Sequence, residues 1–439
     1  MRLESDFSGR LWSRIYNSIW YPILPFVLLS AGDSQSRRHR LGRIPELANL
    51  ENGRIRIWLH AASVGEIEGV RPVVNQLAEF RPDLQFVITT MTPAGREAAM
   101  KRLRAVCQLA PFDHAGSVRA FLAFVRPALL IITETEIWPN FFLESAAVGT
   151  KLALINARVS VRSMNRYRLV RPLIARALKN ANLVLAQTAD DAERLRCLGA
   201  ADDRVVVGGN TKYEIVGDSL PLRPALAAFA SGRPLLVAGS TGPGEEQIVI
   251  SAYCELTRRF PSLALVLAPR HLDRIAEVER ALHSARLPYR KAGELNHLPL
   301  SENPSDSPTG IPSSDPQVLL LDTMGELAGI YQRAAVAFVG GSLFPGRGGQ
   351  SLAEPANASV PVLFGPYYEN HRQLGDALIA AEAGSVVRDP EQFTKIAAEW
   401  LANETARAAA GQRARAVMQQ LAGSTAMTVR YLCELLPIH

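Results

Sequence analysis

Cysteine is scarce in this chain of 439 residues: Cys107, Cys197, Cys254 and Cys433 stand far apart with no CxxC spacing. That leaves no basis for a disulfide framework or a thiolate zinc site and fits a reducing compartment. Charge of one sign is also in short supply. Lys and Arg number 48 against 42 Asp and Glu, a formal net charge of +6, and no basic stretch is interleaved with aromatics, so nothing points to nucleic acid. No apolar run reaches the roughly 20 uninterrupted residues of a membrane-crossing helix. There is no internal repeat. Neither GxGxxG after the first strand nor GxxxxGK[ST], HExxH or GxSxG occurs, which removes the main support for dinucleotide oxidoreductases, P-loop enzymes, zincins and typical serine hydrolases. No Asp-x-Asp pair is present to bridge a divalent ion to a sugar diphosphate, so the expectation is an activity without metal or other cofactor.

What is present is an ordinary globular composition, 48% hydrophobic and 21% charged, at a length that calls for two domains of roughly 200 residues rather than one core. The positive charge is local, because residues 1–60 hold nine Arg against five acids. That bias surrounds an apolar stretch at 11–31, followed by Arg37, Arg38, His39 and Arg40. A spanning helix and a cleaved signal peptide are both compatible with it. Arg14, Pro22 and Pro25 interrupt the stretch, which favours anchoring at the interface, with the basic residues toward anionic lipid on a cytoplasmic surface.

From residue 55 onward, short β-branched or Leu-rich runs alternate with helical patterns, the signature of βαβ units and parallel sheets. The class is α/β. Strands are expected at 55–60, 85–90, 128–132, 152–156, 183–186 and 204–207, and, after a Pro-bearing stretch near 221–224, at 235–239, 263–268, 318–321, 336–339, 360–364 and 385–387. This makes two Rossmann-like doubly wound domains, whose ligands belong at the carboxyl ends of the strands, in a cleft between the two. Residues 293–316, rich in Pro, Ser and Asn, read as a surface loop. The Ala- and Arg-rich tail reads as helical.

Several strand ends carry chemistry. Ala62-Ser63-Val64-Gly65-Glu66 places Glu66 at a strand-to-helix turn, where a carboxylate can take a proton from an incoming hydroxyl or simply complement the helix dipole. Glu134-Thr135-Glu136-Ile137-Trp138-Pro139-Asn140 follows another strand, either as a functional loop or as a capping turn with surface acids. In the second half, Ser240 and Thr241 lie in a Gly-rich turn suited to a phosphate, Pro269 and Arg270 end the next strand, and Met324, Gly325 and Glu326 end a third. Gly341 and Ser342 end a fourth, and Glu354 follows on a helix from which it can reach ribose hydroxyls. Four such strand ends on one sheet form a nucleotide-site pattern.

In combination and in this order, SVGE at 63–66, ETEIWPN at 134–140 and MGEL at 324–327 resemble the Kdo transferases, which pass 3-deoxy-D-manno-octulosonic acid (Kdo) from CMP-Kdo to the lipid A precursor. The resemblance implies a GT-B architecture, divided as a membrane-associated segment at 1–40, an acceptor domain at 41–215, a linker at 216–225, a CMP-sugar domain at 226–400 and helices at 401–439 bracing the first domain. It implies a metal-independent, inverting transfer at the cytoplasmic face of the bacterial inner membrane, with CMP-Kdo, the lipid A precursor and the membrane surface as partners. Glu66 matches the family's general base, and Glu136 and Lys212 match residues that stabilise the transition state. Pro269, Arg270, Met324, Gly325, Glu326 and the run from Ser351 to Glu354 match its CMP contacts. Two departures stand out: Gln350-Ser351 replaces the family's usual His-Asn, and Gly242 stands where a His follows Ser-Thr. They keep open a different nucleotide sugar as donor, and a catalytically silent CMP- or lipid-binding relative is the further alternative.

Overall fold

The computed structural model describes residues 2–30, 32–44, 50–51, 53–214, 222–297 and 317–437. Most of the surface loop expected at 293–316, and most of the linker expected at 216–225, lie outside the described residues. The chain divides into two compact units, residues 1–215 with 421–439, and residues 216–420.

The first unit is built on seven parallel strands, β1 Ile55–His60, β2 Leu84–Thr90, β3 Val106–Leu109, β4 Leu129–Thr133, β5 Lys151–Ala157, β6 Leu183–Ala186 and β7 Val205–Val207. They lie in the order β3-β2-β1-β4-β5-β6-β7. Both faces of the sheet are covered, which is why its central strands read as unbroken apolar runs rather than alternating ones. Trp58 packs one face with Phe121, Phe141 and Leu154. Ile57 and Leu59 pack the other with Ile67, Val70 and Leu432. Chain order reverses between β1 and β4, and at such a reversal the loops leaving the two strands diverge and open a ligand crevice.

The second unit repeats the plan with β8 Leu235–Thr241, β9 Ala264–Pro269, β10 Tyr289–Lys291, β11 Val318–Leu320, β12 Val336–Val339, β13 Val362–Phe364 and β14 Gly384–Val386. The order is β10-β11-β9-β8-β12-β13-β14, with the reversal between β8 and β12.

The tail divides differently from the expectation. Helix Glu404–Gln420 belongs to the second unit: Arg413 donates to Ala381 O at 2.6 Å and Arg415 to Asn357 O at 2.9 Å, and a Cβ on Gly411 would strike Ser359 O. Only helix Ser424–Leu435 packs on the first unit, through Val429 and Leu432 and a hydrogen bond from Thr425 N to Glu214 at 2.9 Å. The brace therefore begins near residue 421 rather than 401.

The N-terminal stretch is one helix, Arg2–Ser30, with Pro22 and Pro25 inside it. Among the described residues, no helix is long and apolar enough to cross a membrane. Its inner face is polar: Tyr16 donates to Asp113 at 2.8 Å, and Asn17 exchanges hydrogen bonds with Asn140. Its outer face carries Leu11, Ile15, Ile19, Ile23 and Phe26, all exposed at three- and four-residue steps, flanked by exposed Arg10, Arg14 and Ser18. The basic cluster that follows is split. Arg37 and Arg38 are exposed, whereas His39 is buried and Arg40 turns inward to Ala110 O at 3.0 Å and Met91 O at 2.5 Å.

Candidate active site

In the first unit the chain leaves β1 through Ala62 and enters helix Val64–Phe80, capped by Ser63. Glu66 is the third helical residue, and its carboxylate turns back to the helix start. It accepts from Ala62 N at 2.9 Å and Ser63 Oγ at 3.1 Å, and from Thr133 Oγ1, the last residue of β4, at 2.6 Å. Ser63-x-x-Glu66 is thus a variant of the capping box, reinforced by a hydroxyl from the neighbouring strand. Glu66 is 8% exposed. Burial raises its proton affinity and the Glu134 charge adds to the effect, while the hydrogen bonds from Thr133, Ala62 and Ser63 work against it.

Beyond β4, Glu134 adopts a left-handed backbone, φ 56°, a conformation that costs a non-glycine residue about 1 kcal/mol or more and that turns the chain sharply at the strand end. Glu136 accepts from Trp138 Nε1 at 2.5 Å, and Tyr167 holds the loop by donating to Thr135 O at 2.9 Å. Burial, with the Glu66 charge next, pushes the Glu136 carboxyl up to about 7. Lys212 forms an ion pair with Glu134. Its stem crosses helix Val64–Phe80 at Gly69, where an added Cβ would lie 2.8 Å from Lys212 Cγ. Thr211 anchors the same turn by donating to Gly69 O at 2.7 Å. Three carboxylates and one ammonium therefore meet at the β1/β4 reversal. Neighbouring His60 is fully buried with Nδ1 3.0 Å from Thr89 Oγ1, and burial lowers it to about 3, so it stays neutral.

In the second unit a cavity of about 390 Å³ is lined by Ser240, Arg270, His271, Gly341, Arg347 and Gln350. It sits at the β8/β12 reversal. Ser240 has a left-handed φ of 54° at an irregularity in the β8–β9 register. Four of the residues expected from the sequence line this cavity; the others are placed differently. Thr241 is fully buried and donates to Glu246 at 2.8 Å. Ser342 is buried, donates to Val339 O at 2.7 Å and accepts from Gly365 N at 2.8 Å. Glu326 is taken by an ion pair with Arg223 and a bond from Thr323. Met324 and Gly325 are exposed. Pro269 is buried at the end of β9, and Ser351 and Glu354 are not among the residues that line the cavity.

The residue missed in the sequence is Glu245. Its buried carboxylate accepts from Gly242 N at 2.7 Å, Gly341 N at 2.7 Å, Ser342 N at 2.9 Å and Leu343 N at 2.8 Å. It clamps the turns after β8 and β12 together and consumes amides that the glycine-rich sequence seemed to offer to a phosphate. Among the described residues, no group of three or more His, Cys, Asp or Glu is arranged to hold a metal ion.

Residues 35–215 match the family model described as 3-deoxy-D-manno-octulosonic-acid transferase (kdotransferase). The chain is 34% identical over 388 residues to the 3-deoxy-D-manno-octulosonic acid transferase of Bordetella pertussis, covering 85% of this chain and 86% of that protein. It is 31% identical over 358 residues to the enzyme of the same description from Haemophilus influenzae, covering 79% of each. In fold it is similar to a Neisseria meningitidis UDP-GlcNAc 2-epimerase bound to UDP-GlcNAc, at 13% identity and a TM-score of 0.60 over 87% of this chain and all of that one.

Proposed function

The chain belongs to the 3-deoxy-D-manno-octulosonic-acid transferase family and is a glycosyltransferase of GT-B fold; from that premise we propose that it moves Kdo from CMP-Kdo to a glucosamine hydroxyl of the lipid A precursor in lipopolysaccharide biosynthesis. Glu66 is the general base. The observation that carries this reading is the buried Glu66 carboxylate at the β1/β4 reversal, with raised proton affinity and with Glu136 and the Glu134–Lys212 pair around it. A carboxylate so placed holds a proton more readily than an ordinary one, which is what removal of a hydroxyl proton during attack requires. Glu136, held up to about 7, carries a proton for much of the neutral range, so it can donate to an acceptor hydroxyl without adding a second full negative charge.

In this mechanism the acceptor oxygen loses its proton to Glu66 as it attacks the anomeric carbon of Kdo, and CMP departs from the opposite side, inverting the configuration. The second unit supplies the donor site. Arg270 in its cavity can neutralise the departing phosphate, so the reading does not call on a divalent ion.

The outer face of helix Arg2–Ser30 supports peripheral attachment to a membrane. Its exposed Leu11, Ile15, Ile19 and Phe26 form the apolar side of an interfacial helix, and Arg37 and Arg38 follow for anionic lipid. A lipid acceptor is then met on the surface the enzyme already occupies, at the cytoplasmic face of the inner membrane.

The test is direct: purified protein is incubated with the lipid A precursor and CMP-Kdo, or a UDP-sugar in a parallel arm, and products are weighed. Addition of one or more Kdo masses with CMP-Kdo alone supports the reading. Transfer from the UDP-sugar only, or no transfer, overturns it.

A further inference from the structure

The second-unit cavity contains more positive charge than one phosphate needs. The N–H groups of Gly242, Gly341, Ser342 and Leu343 all point at Glu245, so these four amides are taken and the cationic side chains become the main partners for an entering anion. Two guanidinium groups line the cavity, Arg270 and Arg347.

They are held differently. Arg270 follows β9 and lies in the field of Glu354, the carboxylate expected from the sequence to reach ribose hydroxyls. Arg347 comes from the loop after β12 and reaches the turn after β8: a Cβ on Gly242 would lie 2.0 Å from its Nη1. The guanidinium occupies the space that any side chain at 242 would fill. Its backbone is fixed on both sides, because Asn370 donates to Arg347 O at 2.8 Å, Asn370 N to Gly348 O at 2.8 Å, and Gly349 N to Gly341 O at 2.9 Å. Glycines with left-handed φ of 97°, 75° and 81° at 346, 348 and 349 shape that loop. Yet the guanidinium itself makes no hydrogen bond or ion pair among the described residues. The charge of Glu277 acts on it at longer range, and a pinned backbone presenting a bidentate donor with no hydrogen-bond acceptor into a cavity is the arrangement of a carboxylate or phosphate clamp.

Kdo is a 2-keto acid. In its CMP conjugate the anomeric carbon bears both the carboxylate and the oxygen bonded to phosphorus, so two anionic groups enter the cavity side by side. We propose that Arg347 is the specificity residue that binds the carboxylate of the donor sugar, while Arg270 serves the phosphate. This rests on the CMP-Kdo reading above and adds to it how the site tells an acidic sugar from a neutral one. A neutral hexose on the same nucleotide would leave the Arg347 guanidinium without an anionic partner.

The experiment compares Arg347→Met and Arg347→Lys with wild type, using two ligands that differ only at the sugar. The KM for CMP-Kdo reads phosphate plus carboxylate. The inhibition constant of CMP, competitive against CMP-Kdo, reads the phosphate without the carboxylate. Loss of a charged bidentate contact should raise the CMP-Kdo KM of Arg347→Met by roughly ten- to a hundredfold, leave the CMP inhibition constant within about twofold, and be partly restored by Lys. Gly242→Ala tests the same contact from the other side. Its methyl group displaces Nη1, so it should raise the donor KM with CMP inhibition again unchanged. Equal rises in both constants would assign Arg347 to the phosphate, and an unchanged donor KM would remove it from recognition; either overturns the proposal. If wild type does not use CMP-Kdo at all, the functional reading falls and this assignment with it, whereas wild-type turnover with an unaffected Arg347→Met sinks this assignment alone.

Discussion

Thr133 Oγ1 donates to Glu66 Oε2 at 2.6 Å, tying the last residue of β4 to the first turn of the helix that follows β1. The contact stabilises the charged form of a carboxylate that burial pushes the other way. Thr133→Val keeps shape and removes the donor, so the proton affinity of Glu66 rises. A base works only when deprotonated. The acid limb of the kcat/KM profile should therefore move to higher pH, and a profile superimposable on wild type would contradict the geometry.

Asp113 caps helix Pro139–Ala147, whose own N-cap residue Trp138 makes no side-chain cap. It accepts from Asn140 N at 3.2 Å, Phe141 N at 3.0 Å and Tyr16 OH at 2.8 Å. Burial raises it to about 7 from an ordinary 3.8, and Glu136 rises to about 7 from 4.5. Both hold protons in the folded state that the unfolded chain releases near pH 4. Their contribution is thus complete below pH 4 and lost as pH rises through 7. The urea midpoint of Asp113→Asn should fall less steeply than that of wild type between pH 5 and 7, and equal slopes would show that Asp113 does not titrate there.

Gly69 leaves room for the Lys212 stem. Ala at this mid-helix position gains up to about 1 kcal/mol of helix propensity, so Gly69→Ala should fold with an undiminished Tm. Its methyl group must nevertheless push Lys212 away from Glu134. A fall in kcat of roughly tenfold or more with little change in Tm is the expected pair of results, and wild-type kcat would detach Lys212 from the chemistry.

The exposed face of the N-terminal helix can be tested without touching its packed side. Replacing Ile15 and Ile19 by Ser removes apolar area at residues 42% and 50% exposed. Co-sedimentation with vesicles containing anionic lipid should drop several-fold, since each buried CH₂ is worth about 0.8 kcal/mol, while turnover of a water-soluble acceptor mimic stays unchanged. Undiminished vesicle binding would place the membrane contact elsewhere.

The α/β class and both series of strands were legible because strands such as β1, β4, β9 and β12 are buried on both faces and spell continuous apolar runs. β3 and β10 were not. Each is a short edge strand: β10 is Tyr289, Arg290 and Lys291, all only half-buried, and β3 has only four residues with the polar Gln108 among them, so neither spells an apolar run. The split of the tail was equally hidden, because an Ala-rich helix reads alike whichever unit it packs on. Glu66 could be named from its place at a strand end, whereas Glu136 was set apart from Glu134 only by the resemblance. The pairing of Lys212 with Glu134 could not, since it depends on a lysine stem crossing a glycine far away in sequence. In the second unit, glycine-rich turns suggested free amides, and nothing in the local sequence marks Glu245 as the group that accepts from them. Only the structure reveals that Glu245 has claimed those amides and that Arg347, one residue among several glycines, projects into the cavity.

The most direct measurement is the rate of Glu66→Gln beside its thermal stability. The amide keeps an oxygen to accept from Ala62 N and Thr133, so the cap should survive with Tm close to wild type. Loss of the base should lower kcat by roughly 10²- to 10⁴-fold, with the donor KM little changed. A Glu66→Gln enzyme that folds normally and turns over at the wild-type rate would contradict the account at its centre.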